Sequence, residues 1–491
     1  MSYSRKDTRG TGLAFRMVAL ACLLAAFTAA PAYATWSMVA TNTRTGEVAI
    51  GQATCVGGFD LLYWTPVLVT GRGAATVAGY LDNVDHAREI IRVELQAGTP
   101  PDSILQILSD SHPEHERHQY CIVDVEGGAV TYTGTVAGQD FDWAGGQAGR
   151  VGDIAYSVTG GLLTGAPVVE EAVNAIITTD GDVAARLMAG MEAARSMGGD
   201  GRCSCSPSDP TGCGSPPASF EFSAINGYMV LARAGDITAC THCSGAYLFL
   251  RFNVANQNSG DPDPVLLMQE MYDTWRADLI GRPDAVRSIV TFDPAWLPAD
   301  GVSETEMTIQ LLDWQGLPPT GSITMTVTHA ADSDSLSSIG EPINHGDGQF
   351  TVAVTAGTEP GVDRFLVTTD HWIRPVILMP EPALLILDPT SVPVTESPIH
   401  AMELQQNYPN PCNPTTSIAF QLPEAAHVRL WVYDIGGRLV RTLVDARLAS
   451  DDYIVEWDGC DERGRSPGSG VYFYRLETGS RSLTRKLVIL E

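Results

Sequence analysis

Helix-period patterning ends near Pro283 in this 491-residue chain, and that break constrains the fold more than any other feature. Before it, strand-like and helix-like segments alternate. "TWSMVATN" and "EVAIGQATCV" are two apolar strands around the turn signal Thr45-Gly46. "VDHAREIIRVELQAG" sets Ala87, Ile90, Ile91 and Leu95 on one helical face and closes on Gly98, a C-cap residue. "PPDSILQILSDS" opens a second helix with proline in its first turn. A hairpin follows in "QYCIVDVEGGAVTYTGT", turning at Gly127-Gly128, and then a strand in "IAYSVTGG". "APVVEEAVNAII" and "GDVAARLMAGMEAARSMG" read as helices, "SFEFSAINGYMVLARAG" and "AYLFLRFNVAN" as strands, and "DPDPVLLMQEMYDTWRADLIG" as a last helix. Hairpin, helix pair, hairpin, helix pair, strands: this order predicts a layered α/β/β/α domain over residues 35–281, not a doubly wound parallel sheet.

Beyond the break only strand-like runs remain. Over 288–388 "EMTIQLLDW", "SITMTVTHA", "QFTVAVTAG" and "RFLVTTDHW" are spaced by Gly, Pro and Asp, the pattern of a β-sandwich. Residues 389–402, "PTSVPVTESPIHAM", form a Pro/Ser/Thr linker. Residues 403–491 are a further all-β domain, in which Val428, Leu430 and Val432 alternate with Arg429, Trp431 and Tyr433 as in a half-buried strand.

The N-terminus carries a different signal. Arg5, Lys6, Arg9 and Arg16 precede an apolar run from Met17 to Ala30, too short to span a bilayer comfortably, and Ala32-Tyr33-Ala34 is an A-x-A cleavage site. Residues 1–34 are therefore expected to be a signal peptide, and its removal makes Thr35 the first residue. A lipoprotein anchor on Cys22 is rejected, because the apolar run continues past it. The chain is expected to be secreted or displayed at the cell surface, with no transmembrane helix in its mature form. The formal charge is −28; the leader holds four basic residues and one acidic, so the mature chain carries −31. Such acidity excludes nucleic acid as a partner, since phosphate neutralisation needs clustered Lys and Arg. Nine cysteines remain after cleavage. In an exported chain, Cys203, Cys205, Cys213, Cys240 and Cys243 are expected to pair as disulfides before they bind zinc. Cys412 and Cys460 lie beyond them, and an intradomain bridge between the two is expected.

A free N-terminal threonine holds a nucleophile and a base in one residue. Its hydroxyl attacks, and its α-amine, with a reference pKa of about 7.7–8.0, takes the proton near neutral pH. Other candidates are weaker. His112, His115 and His118 recur at every third position, but Pro113 breaks any helical face, so a solvated loop is expected and no metal is assigned. Asp200 and Arg202 read as a structural pair, and "NQNSGDPDP" lacks the ordered ligand spacing of a calcium loop. No cofactor is expected.

Three resemblances add to this reading. Residues 35–281 resemble the family of unknown function numbered 1028, placed in the N-terminal-nucleophile (Ntn) hydrolase superfamily. The likeness is carried by "TWSMVATNTRTGEVAIG", His118-Gln119 before "IVDVEGG", Thr133-Gly134, Trp143-Ala144-Gly145, Gly198-Gly199-Asp200 with Arg202, Ser223-Ala224 and "DPDPVLLMQEM". It implies a four-layer αββα fold and amide-bond hydrolysis with Thr35 as nucleophile, on an unidentified small amide or peptide. Relatives tend to carry Ser and a basic residue where this chain has Thr54-Cys55, and Gln, a small residue and Asn where it has Thr159-Gly160-Gly161. With that Asn absent, the backbone amides of Gly160 and Gly161 are the expected oxyanion donors. "LPADGVSETEMTIQLLDWQGLPPTG" resembles bacterial immunoglobulin-like domains, which serve as spacers or adhesive modules. Residues 403–491 resemble the C-terminal sorting domains of type IX secretion substrates, which share the immunoglobulin-like fold of flagellar hook-capping proteins. The matching words are Asn407-Tyr408-Pro409-Asn410-Pro411, Asn413-Pro414, Trp457-Asp458-Gly459 and Gly470-Val471-Tyr472, and they imply an export machinery as partner. The whole is read as an Ntn-hydrolase-like α/β domain followed by two all-β immunoglobulin-like sandwiches; the rival is a non-catalytic surface protein that keeps the fold for binding or display.

Overall fold

The computed structural model describes residues 35–388 apart from 83, 259, 332, 335, 372 and 373. It also describes 403–489 apart from 408–411, 413–414, 423–425, 435–437, 450, 464, 466–467, 469 and 480. Residues 1–34, expected to be a signal peptide, residues 389–402, expected to be a linker, and most of the Asn-Tyr-Pro-Asn-Pro word lie outside the described residues. Two compact units result, one ending at Asp388 and one starting at Pro389.

The first unit begins with the strands β1 (Trp36–Asn42) and β2 (Val48–Thr54), a short helix α1 (Leu61–Trp64), and β3 (Pro66–Val69) and β4 (Gly73–Ala78). Then come α2 (His86–Ala97), α3 (Pro101–Ser111), β5 (Gln119–Asp124), β6 (Ala129–Thr133), α4 (Thr135–Asp140), β7 (Ala144–Val151) and β8 (Ile154–Gly161). The helices α5 (Pro167–Thr178), α6 (Val183–Ser196) and α7 (Gly201–Ser204), the strands β9 (Asn226–Ala232), β10 (Ala239–Cys240) and β11 (Leu250–Val254), and α8 (Pro264–Asp278) complete it. The caps follow the sequence signals: Gly98 closes α2 at φ 80°, and proline opens α3, α5 and α8.

All pairings among these strands are antiparallel, in a six-stranded sheet ordered β11-β9-β2-β1-β8-β7 and a five-stranded sheet ordered β10-β3-β4-β5-β6. The period-2 alternation of β1 decides what each face meets. Trp36, Met38 and Ala40 point outward into a core shared with Val168, Leu187, Met191 and Met268 of α5, α6 and α8. Val39, with Val48 and Ile50 of β2, points inward to Leu68, Ala74 and Val123 of the second sheet. On that sheet's far side, Val67, Val77 and Ile122 pack on Ile91 and Leu108 of α2 and α3. The layers therefore run helix, sheet, sheet, helix. The hairpin β3–β4, the edge strands β7 and β10 and the helix α4 escape the sequence reading. Conversely, 218–225 precede β9 without joining a strand.

Residues 289–387 form two sheets, one built around Gln349–Ala356 and one around Gly361–His371, that enclose Met307, Ile309, Val352, Phe365 and Ile386. This sandwich is docked on the α/β domain. Arg233, just past β9, lies over the Phe249 ring and pairs with Glu47 at 2.6 Å and with Asp284 at 3.0 Å. Arg276 of α8 pairs with Asp182 and lies over the Trp314 ring. Burial raises the Glu47 carboxyl, and Arg233 offsets only part of that rise.

In the second unit, two sheets of three and four strands enclose Ile418, Phe420, Leu430, Trp457, Tyr474 and Leu487. The expected Cys412–Cys460 bridge is corrected here: both are free thiols. Cys412 is buried where its N–H donates to Val488, beside Ile489. Cys460 sits on the turn after Trp457, and the indole Nε1 donates to its carbonyl.

Candidate active site

Thr35 immediately precedes β1, and the register Trp36↔Ala53 and Trp36↔Gly160 places it between Thr54 of β2 and Gly161 of β8. Alternation turns its side chain inward, between the two sheets, together with Ser37, Gln52 and Thr159. All four are essentially inaccessible. The face that is aliphatic at Val39, Val48 and Ile50 thus becomes polar toward the start of β1.

A hydrogen-bond chain organises this polar end. Gln52 Nε2 donates to Thr35 Oγ1 at 3.1 Å and to Ser37 Oγ at 2.9 Å, and the two hydroxyls are 3.3 Å apart. Gln52 Oε1 accepts from Thr65 Oγ1, which also contacts Tyr228 OH at 3.2 Å. The amide orientation is therefore fixed from both ends, and Thr35 Oγ1 accepts from it. Cys121 Sγ lies 3.7 Å from the Ser37 carbonyl, but burial pushes its thiol up to about 12, so it contributes no thiolate nucleophile at neutral pH.

Gly160 and Gly161 are next to Thr35 as expected, but their amides are not free donors. Gly161 N–H donates to the Thr35 carbonyl at 3.1 Å. By strand alternation the Gly160 amide then faces Gly145 on β7. Both amides are committed to the sheet, which corrects their assignment as the oxyanion hole. Gln119 of β5 closes the other side: its Nε2 donates to Gly160 O at 2.9 Å and to Thr133 Oγ1 at 3.0 Å.

At the end of β2, Asp200 caps α7, accepts the Cys55 N–H at 2.8 Å and pairs with Arg202, which reaches Thr54 Oγ1 at 3.4 Å. The pair ties the loop after α6 to the strand beside Thr35. A disulfide between Cys55 and Cys203 fastens the same junction. Cys205–Cys213 and Cys240–Cys243 are the other two bridges, so the expected cysteines pair, with Cys55 as the unforeseen partner.

His112, His115 and His118 are not solvated. All three are buried, with His112 stacked on His118 at 5.1 Å and His115 on Tyr132 at 4.4 Å, and His112 Nδ1 is 3.1 Å from His86 Nδ1. Burial, then the neighbouring His112, pushes His118 down to about 4. Pro113 does break the helix, but the chain folds back against Tyr120 and Tyr132 where the sequence reading had placed water. Among the described residues, no group of three or more His, Cys, Asp or Glu side chains is arranged to hold a metal, and no helix is long and apolar enough to cross a membrane.

Residues 35–208 match DUF1028, a family of unknown function. The matched stretch contains Thr35, Ser37, Gln52, Gln119, both glycines and the Asp200–Arg202 pair. Protein SPO2555 from Silicibacter pomeroyi, a crystal structure labelled with the same family, is 17% identical over 49% of this chain and 88% of its own, with a TM-score of 0.35. The Yersinia pseudotuberculosis adhesin InvE is 14% identical over 41% of this chain and 58% of its own, at a TM-score of 0.17. PorZ, a surface component of the type-IX secretion system of Porphyromonas gingivalis, is 20% identical over 18% of this chain and 12% of its own, at 0.15. No curated protein matches the chain.

Proposed function

We propose that residues 35–281 are an exported Ntn-type amide hydrolase domain with Thr35 as nucleophile, followed by an immunoglobulin-like module and a type IX sorting domain. The observation that carries this reading is the Thr35 hydroxyl itself, buried between the sheets at the start of β1 and held by Gln52 Nε2 at 3.1 Å. Any buried hydroxyl needs a hydrogen-bond partner, and here the partner, Gln52, is itself fixed at its other end by Thr65. A nucleophile gains a fixed orientation.

Cleavage after Ala34 frees the α-amine of Thr35, which accepts the Oγ1 proton as Oγ1 bonds to the substrate carbonyl carbon. Gln52 Nε2 and the Ser37 hydroxyl are the donors nearest Oγ1 and are assigned to the developing oxyanion in place of the glycine amides. The ammonium returns its proton to the leaving nitrogen as the C–N bond breaks. Water, deprotonated by the amine, then splits the ester and releases the acid and the free threonine. In the Thr35→Ala variant, labelling by an electrophilic amide-hydrolase probe should vanish while the melting temperature stays within a few degrees. Equal labelling of variant and wild type would remove the nucleophile.

A further inference from the structure

Thr35 is closed off from solvent, and an aromatic ring packs over its cross-strand neighbour Gly161. Gly161 pairs directly with Thr35, so a side chain on Gly161 would stand about 4.5–5.5 Å from that of Thr35 on the same inward face. That place is taken by Phe141: a Cβ built on Gly161 collides with the Phe141 ring and lies 3.0 Å from Gln119 Oε1. The ring is 5% exposed and belongs to a small cluster of its own, Ala137 and Phe141 with Ala144 and Leu162, separate from the main cores. The segment bearing it, 135–143, contains a six-residue helix without a side-chain cap. It is fastened from outside, where Glu116 Oε2 accepts the Thr135 N–H and hydroxyl, each at 2.7 Å.

Gln119 supplies a second, independent observation. Its side chain is fully buried, its Nε2 is fixed by Gly160 O and Thr133, and its Oε1 has no hydrogen-bond partner among the described residues. An unpaired buried acceptor is costly and calls for a donor.

We propose that the Phe141 ring occupies the acyl subsite of the hydrolase, that 135–143 swings out to admit substrate, and that the subsite takes an uncharged, ring-sized acyl side chain carrying a hydrogen-bond donor for Gln119 Oε1. This rests on Thr35 as nucleophile. A carboxylate there would be buried against the unpaired carbonyl-type oxygen of Gln119, which repels it. A cation would be buried beside one neutral amide. Neither is accommodated.

The plug is tested without turnover. In Thr35→Cys protein, alkylation of residue 35 by N-ethylmaleimide is followed by peptide mass spectrometry, which separates it from Cys121, Cys412 and Cys460. Adding Phe141→Ala should speed alkylation at least tenfold, Phe141→Leu should speed it less, and Phe141→Trp should slow it. With reagents of one reactive group, an anionic thiosulfonate should lag a neutral alkyl thiosulfonate at least tenfold at residue 35 in Phe141→Ala. Rates within twofold across this series, or equal rates for the two thiosulfonates, would overturn the subsite; Phe141→Leu and Phe141→Trp keep the test valid if Phe141→Ala fails to fold. For specificity, a vinyl sulfone probe with a hydroxyphenylmethyl side chain should label wild-type Thr35 at least tenfold faster than one with a carboxymethyl side chain. If alkylation follows Phe141 but Thr35→Ala leaves probe labelling unchanged, the closed pocket stands and the nucleophile falls.

Discussion

The space between the two sheets has two ends built from the same two strands. At one end Val39, Val48 and Ile50 meet Leu68 and Val123, and the face behaves as any sheet-on-sheet core. At the other end, one turn of the pleat away, Thr35, Ser37 and Gln52 occupy equivalent inward positions and bond to each other. Burial is equal at the two ends, so exposure to water does not account for the polar residues. Apolar side chains would stabilise the sheet contact more cheaply at both ends. On the proposed function, the difference sets the polar end apart as the part of the core that holds the nucleophile.

The comparison can be broken at the polar end first. Gln52→Leu preserves size but removes the donor to Thr35, so probe labelling should fall about 10²–10³-fold, the range for loss of one oxyanion-type donor. Thermal melting reports whether the loss is chemical or structural. At the apolar end, Ile50→Ala should cost about 2–5 kcal/mol in denaturant unfolding through its cavity. Labelling per folded molecule should be nearly unchanged. An Ile50 variant that lost labelling while staying folded would erase the distinction between the ends.

The junction beside Thr54 is the next place to press. Replacing Cys55 and Cys203 together by serine opens a link with a sequence separation of 148 and should cost about 2–4 kcal/mol. Labelling should fall less than for Gln52→Leu, because Asp200 still holds the Cys55 backbone N–H.

The smallest effect concerns pH. His118 is buried neutral with a pKa near 4, against an ordinary 6.5 when unfolded, so the unfolded chain binds the extra proton. Stability is fully present above about pH 6.5 and is lost as pH falls toward 4, by at most about 3 kcal/mol from this residue. Unfolding midpoints measured across that window should slope downward toward acid, and His118→Phe should flatten the slope.

Much of this was legible in the chain. The turn at Thr45-Gly46 fixes β1 against β2, and that register alone sets Ser37 opposite Gln52. Gln52 was not singled out, although it is the one large polar side chain in an otherwise small and apolar strand. Its role depended on Thr65 and Tyr228, which no local pattern connects to it. The Cys55–Cys203 bridge and the burial of the histidines share this property, because each depends on segments brought together by the sheets. Gly160 and Gly161 illustrate the converse. Their position beside Thr35 was implied by the family resemblance, but the direction of their amides follows from strand parity once β8 is paired on both sides.

The most direct test is peptide mapping of the mature exported protein after reaction with an amide-hydrolase electrophile. The N-terminal peptide should begin at Thr35 and carry the added mass on that residue, with no adduct in Thr35→Ala. A mature chain that begins elsewhere, or an adduct that persists in Thr35→Ala, would contradict Thr35 as the nucleophile.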